Sequence, residues 1–126
     1  MDKVYRRTFQ AMKLLCQMGK VIVIGRGGAC ATEGLTGGIH MRLVAPLAFR
    51  IERMKERLQV SNTNARRMVE EYDVERAKFV RAHFGKDIRD PLLYHAIWNT
   101  QRISSEEIAS YVVEMIKNRA PKAVTA

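Results

Sequence analysis

The chain has 126 residues, with 22 lysines and arginines against 13 aspartates and glutamates and a formal net charge of +9 at pH 7. That length suits one domain with its own core and excludes two, and a hydrophobic fraction of 47% is that of a globular protein. No apolar run nears the roughly 20 residues of a membrane span, and the N-terminal MDKVYRRTFQ lacks an apolar signal core, so a cytoplasmic location is expected.

In chain order, residues 3–18 predict a helix. Phe9, Met12, Leu15 and Cys16 share one face, and Gly19 stops it. The β-branched run Val21–Ile24 predicts a buried parallel strand, followed by a glycine- and threonine-rich loop over 25–38. IHMRLVA (39–45) predicts a second strand, and Pro46 suits the first turn of a helix that continues over 47–58. VSNTNA breaks the pattern before a long helix from about Thr63 to Phe84, ended by Gly85. Pro91 closes the KDIRDP turn, LLYHAIWNT (92–100) predicts a third strand, and Ser104 with Glu107 has capping-box spacing ahead of a last helix over 105–118. The segment 119–126 reads as a disordered tail. Strands alternating with helices imply an α/β fold, a parallel sheet flanked by helices, within one domain over 1–118.

Three features bear on chemistry. Gly25-x-Gly27 begins like a dinucleotide fingerprint, but Cys30 stands where the third glycine belongs and the following residues read as turn rather than helix. The Walker A pattern G-x-x-x-x-G-K-[ST] does not occur in the chain. What remains is Arg26 at a strand end, where ligands of open α/β sheets sit; a phosphate-holding arginine and a surface arginine in a turn are both open readings.

In the long helix, Ala65, Met68, Val69, Tyr72, Phe79, Val80 and His83 form an apolar stripe, and Arg76 lies on it with Asp73 one turn before. Such a charge needs a partner or a cleft: either Asp73 and Arg76 form a structural ion pair, or Asp73 aims Arg76 at a phosphate. In the preceding helix, Arg50, Arg53 and Arg57 share a face; part of it reads as salt-bridged surface, and Arg50, nearest the strand end, is the best placed for a ligand. Arginines outnumber lysines, which favours forked contacts to phosphate. Cys16 and Cys30 belong to no Cys-x-x-Cys pair, and His40, His83 and His95 lack metal-ligand spacing, so these residues read as structural.

VIVIGRGG, GGIHMRLVAPLAFRIERM, ARRMVEEYDVERAKFVRAHFG, RDPLLYHAIWNT and RISSEEIASYVVEMI, in this order over about Tyr5 to Ile116, resemble the cytidylate-kinase-like family of P-loop nucleotide kinases. The resemblance implies a partial P-loop nucleotide-kinase fold and transfer of the γ-phosphoryl of ATP, with Mg²⁺, to a nucleoside monophosphate such as CMP or dCMP. It gives Arg26 contact with the acceptor, although Gly27 replaces the aspartate that follows it in the family. Arg50, by its place near the strand end rather than by the resemblance, is put with Arg26 on the substrate side. A lid helix carries Asp73, Arg76 and Arg81 as catalytic residues, and Asn99 to Arg102 lie near adenine. Phosphoryl transfer rests on positioning and charge neutralisation, which arginines supply.

The family's opening strand and phosphate-cradling loop have no counterpart in this sequence. Weak or absent kinase activity is therefore expected of the chain alone, together with an exposed apolar sheet edge. A truncated frame, one part of a split protein and a homologue that dimerises over its edge are the open readings. A non-catalytic nucleotide- or phosphate-binding module is the second functional reading. A nucleic-acid binder driven by charge ranks last, because no aromatic stacking cluster or helix-turn-helix is legible.

Overall fold

The computed structural model describes residues 3–25 and 27–119. Arg26 and the predicted tail beyond 119 lie outside the described residues. Helix α1 (Lys3–Met18) leads to a one-turn helix α2 (Gly28–Ala31), strand β1 (Met41–Val44), and helices α3 (Leu47–Leu58) and α4 (Asn62–Phe84). A 3₁₀ turn (Pro91–Leu93), strand β2 (Ala96–Asn99) and helix α5 (Ser105–Arg119) complete the order. Helices dominate, and the sheet is a parallel pair with Met41 opposite Ala96 and Val44 opposite Asn99. Parallel pairing needs a long crossover, which α3 and α4 supply.

Two apolar clusters hold these elements. Phe9, Met12 and Ala31 are buried together, with Tyr5, Cys16, Phe79 and Phe84 packed around them, so α1 and α2 rest on the C-terminal half of α4. Leu15, expected on the same face as Phe9, points outward. Ile51, Ala65 and Val69 form the second cluster, between α3 and α4. Ala65 is fully buried; its small side chain lets the two helices approach closely. The hairpin between them turns at Gln59 in the left-handed region, and the Ser61 hydroxyl then accepts the Asn64 N–H at 3.1 Å to cap α4. Gly85 ends α4 at φ 64, donating its N–H to the Arg81 carbonyl. On α5 the Ser104 hydroxyl accepts the Glu107 N–H at 3.1 Å, as the capping spacing predicts, and Tyr111 stacks on Trp98 of β2 with ring planes 5° apart.

Three expectations need correction. Val21–Ile24 is not a strand: its backbone makes no main-chain hydrogen bond among the described residues, and Ile22 and Ile24 are 88% and 89% exposed. β-branched composition favours extended backbone, but a strand exists only when a neighbour completes the ladder, and among the described residues β1 pairs with β2 alone. The glycine-rich segment is not wholly loop, because α2 forms within it, nucleated by Gly27 at φ 64. The third strand is shorter than predicted: Asp90 caps a 3₁₀ turn over Pro91–Leu93, accepting the Leu92 N–H at 2.9 Å, and β2 starts only at Ala96.

Candidate functional site

Pro46, at φ −56, turns the chain from the C-terminal end of β1 into α3. Phe49, Arg50, Arg53, Met54 and Arg57 then recur at three- and four-residue spacing, so they share one helix face. Val69, Tyr72, Asp73 and Arg76 do the same on α4. The two faces meet over a hollow of about 260 Å³, which Thr100, just past β2, also lines. It therefore lies at the carboxyl ends of the parallel strands, where such folds place ligands.

Arg50 is the structural centre of this hollow. Its Nε donates to the Ala45 carbonyl at 2.9 Å, and its Nη1 donates to both Asp73 carboxylate oxygens at 2.8 Å. One guanidinium thus ties the end of β1, α3 and α4 together, leaving Nη2 without a hydrogen bond among the described residues. Arg76 stands 3.9 Å from Asp73 Oδ1, too far for a hydrogen bond, and lies over the Tyr72 ring at 5.8 Å. The ion pair between Asp73 and Arg76 is present at this long distance, but the carboxylate's hydrogen bonds go to Arg50, across the helix pair, which neither sequence reading includes.

Arg53 lies over the Phe49 ring at 5.5 Å. Neither Arg53 nor Arg57 forms an ion pair or hydrogen bond among the described residues, whereas Lys55 on the same helix takes Glu52 at 3.1 Å. Four arginines and one aspartate line the hollow. Its single carboxylate is spent, so it presents a surplus of positive charge to whatever enters.

The structure brings Arg50, Asp73 and Arg76 together and leaves the other described candidates elsewhere. Arg81 follows Arg76 by five residues, a rotation of about 140° around the helix, which turns it to a second hollow with Lys86, Asp87 and Arg89. There its Nη1 donates to the Gly85 carbonyl at 3.5 Å, and with Lys86 it offsets the negative end of the α4 dipole. The Arg89 backbone N–H and guanidinium beside Asp87 hold that carboxyl below its ordinary range. Asn99 caps its own turn, its Oδ1 accepting the Gln101 N–H at 3.1 Å, and Arg102 is exposed; neither lines the first hollow.

Sequence reasoning passed over Arg53, Arg57, Phe49, Tyr72 and Thr100 as site residues. A signal for the first two was present: glutamates on α3 have a lysine neighbour to satisfy, while the arginines at 50, 53 and 57 share a face that α4 supplies with one acid only.

The arginine set fits a phosphorylated ligand. It does not by itself fit a divalent cation, since Asp73 is engaged by Arg50 and no group of three or more His, Cys, Asp or Glu residues is assembled among the described residues. Nor is any helix among the described residues long and apolar enough to cross a membrane. No curated protein matches the sequence. The model of the cytidylate kinase-like family matches residues 1–102, a span that contains α1 to β2 and the whole arginine-lined hollow and stops before α5. The chain belongs to the cytidylate kinase-like family.

Proposed function

We propose that the hollow between α3 and α4 grips the phosphate groups of a nucleotide, as part of an incomplete P-loop nucleotide-kinase fold whose acceptor is CMP or dCMP. The observation that carries this reading is the set of guanidinium groups of Arg53, Arg57 and Arg76 at the carboxyl ends of a parallel sheet, the first two with no carboxylate partner among the described residues and the third with only a long ion pair to Asp73. A forked guanidinium suits phosphate oxygens. Arg53 and Arg76 are backed by aromatic rings, so each is held in a narrow range of orientations without losing its donors to an internal acid. Arg50, fixed by Ala45 and Asp73, keeps the two helices at the separation the ligand needs and offers its Nη2 edge. ATP, when bound, supplies the transferable phosphoryl group. The work of this chain's residues is to orient the acceptor phosphate and spread the charge on the transferring group over several arginines.

Mg²⁺ would need carboxylate or hydroxyl ligands beyond Asp73. With no Walker A loop in this sequence, the chain alone should bind the acceptor nucleotide while transferring phosphate weakly or not at all.

Isothermal titration tests the reading. CMP binds the wild-type chain, and Arg53→Ala and Arg76→Ala each weaken it by tenfold or more, on the order of 1.5–3 kcal/mol for a hydrogen bond between charged groups. Absence of CMP binding, or binding indifferent to both substitutions, refutes it. Robust CMP phosphorylation by the purified chain would overturn the expectation of weak transfer. Binding of CMP without ATP, with no turnover, selects the second reading, a non-catalytic nucleotide-binding module, which the missing Walker A sequence favours.

A further inference from the structure

At the opposite end of the sheet, two histidines face each other at the start of the two strands. His40 precedes β1 and His95 precedes β2, with ring centroids 5.4 Å apart and planes crossed at 75°. The His40 backbone N–H donates to His95 Nδ1 at 2.8 Å, and the His95 N–H donates to the His40 carbonyl at 2.7 Å. The side chain of one histidine thus completes the first rung of the sheet. The His40 ring reaches the other way, placing Nε2 3.3 Å from the Thr32 hydroxyl. That hydroxyl, on a buried residue, already donates to the Gly28 carbonyl at 2.7 Å. Its lone pairs are therefore open to a proton donated by Nε2 of His40.

We propose that His40 and His95 form a proton-operated latch that fastens the loop bearing α2 to the start of the sheet. The geometry sets the protonation states of the closed form. His95 Nδ1 must be bare to accept the His40 N–H, so the neutral ring carries its proton on Nε2. A second proton on His95 can go only to Nδ1, where it turns the acceptor into a donor pointed at another donor. His95 is exposed, so protons reach it without opening the fold. A second proton on His40 makes both of its ring nitrogens donors and places a charge on a ring whose centroid is 5.4 Å from that of His95.

The groups that act on His40 are its own burial and His95, which push its pKa down; Glu33, past α2, and the Leu93 carbonyl pull the other way, with burial the largest. Acidification thus costs the rung between the strands and puts charge beneath Thr32. The loop held by that contact also packs Ala31 on Phe9 and Met12, so its release loosens one end of the α1 cluster. This inference does not depend on the nucleotide reading of the hollow.

Amide hydrogen exchange on the full chain tests it. Protection of the Cys30, Ala31 and Thr32 amides, corrected for intrinsic rates, should fall on the order of tenfold as the pH is taken from about 7.5 to well below the ordinary histidine value of about 6.5, since burial holds the His40 pKa down. Protection of the Ala65 amide in the α3–α4 cluster should hold steady. His95→Asn retains an acceptor at the Nδ1 position and His40→Gln retains a donor at the Nε2 position, and neither titrates. The double variant should keep the loop amides protected at both pH values. Flat protection in the wild type, an equal fall at Ala65, or the wild-type pH dependence persisting in the double variant would each overturn the latch.

Discussion

The clamp formed by Arg50 and Asp73 is the most direct quantity to measure, because the hollow's shape depends on it. The charges approach to 2.8 Å between Nη1 and Oδ2, and the side chains are 34% and 42% exposed. Two unit charges about 4 Å apart interact by about 1 kcal/mol in water and about 4 kcal/mol at an effective dielectric of 20. With more than a third of each side chain exposed, solvent screening pulls the value towards the lower figure, about 1–2 kcal/mol. Arg50→Ala also releases the Ala45 carbonyl, a further loss of about 1 kcal/mol. Asp73→Ala should then cost about 1–2 kcal/mol, Arg50→Ala about 2–3, and the double variant about as much as Arg50→Ala alone. Urea unfolding of the four proteins closes the cycle, with a coupling energy of about 1–2 kcal/mol. Arg66 and Glu70, an i,i+4 pair at 3.4 Å with both side chains more than half exposed, is the internal control and should couple by about 0.3–0.5 kcal/mol. A coupling at 50/73 no larger than at 66/70 would refute the claim that this ion pair holds α3 to α4.

Other expectations follow from single positions. A Cβ added at Gly27 would lie 2.5 Å from Phe84 Cε2, on a backbone at φ +64. Gly27→Ala should therefore lose more than about 1 kcal/mol by chemical denaturation, from strain and the displaced ring together. At Gly85 the same φ of +64 meets open space, so Gly85→Ala should cost only about 1 kcal/mol. Ser61→Ala, which removes the α4 cap, should cost about 1 kcal/mol and raise exchange at the Asn64 amide. For pH, the folded-state pKa of His40 lies below its ordinary value. The unfolded chain then binds the proton first, and stability is fully present above about pH 6.5 and lost as pH falls through that value towards the folded pKa. Denaturant midpoints measured down this range should decline, and His40→Gln should flatten the decline.

The helices were legible because their signals are local. The Gly19 and Gly85 stops, the Ser61 and Ser104 caps and the apolar spacing of Phe9 and Met12 act within one or two turns, and the observed α1, α3, α4 and α5 match the predicted spans to within a residue at either end. The family was legible too, since residue identities in order suffice for it, and the match over 1–102 bears it out. The strands were not legible to the same degree. Val21–Ile24 has the composition of a strand, but composition records only a preference for extended backbone, and the ladder is a property of two segments.

The site divides along the same line. That arginines recur on α3 and α4 is written in the order of residues, and so is the three-to-four spacing that puts Arg50, Arg53 and Arg57 on one face. Which of them is spent and which is free is a fact of packing. Arg50 was favoured as the ligand's partner, yet the approach of α4 across the Ala65 contact delivers Asp73 to it and leaves Arg53, Arg57 and Arg76 with open donors. Arg81, grouped with Arg76 by motif, is carried away by five residues of helical rotation. The histidine pair spans 55 residues of sequence, and nothing in either neighbourhood names the other. Local preference is encoded residue by residue, whereas the partner of a charge or a hydrogen bond is chosen by where the chain returns.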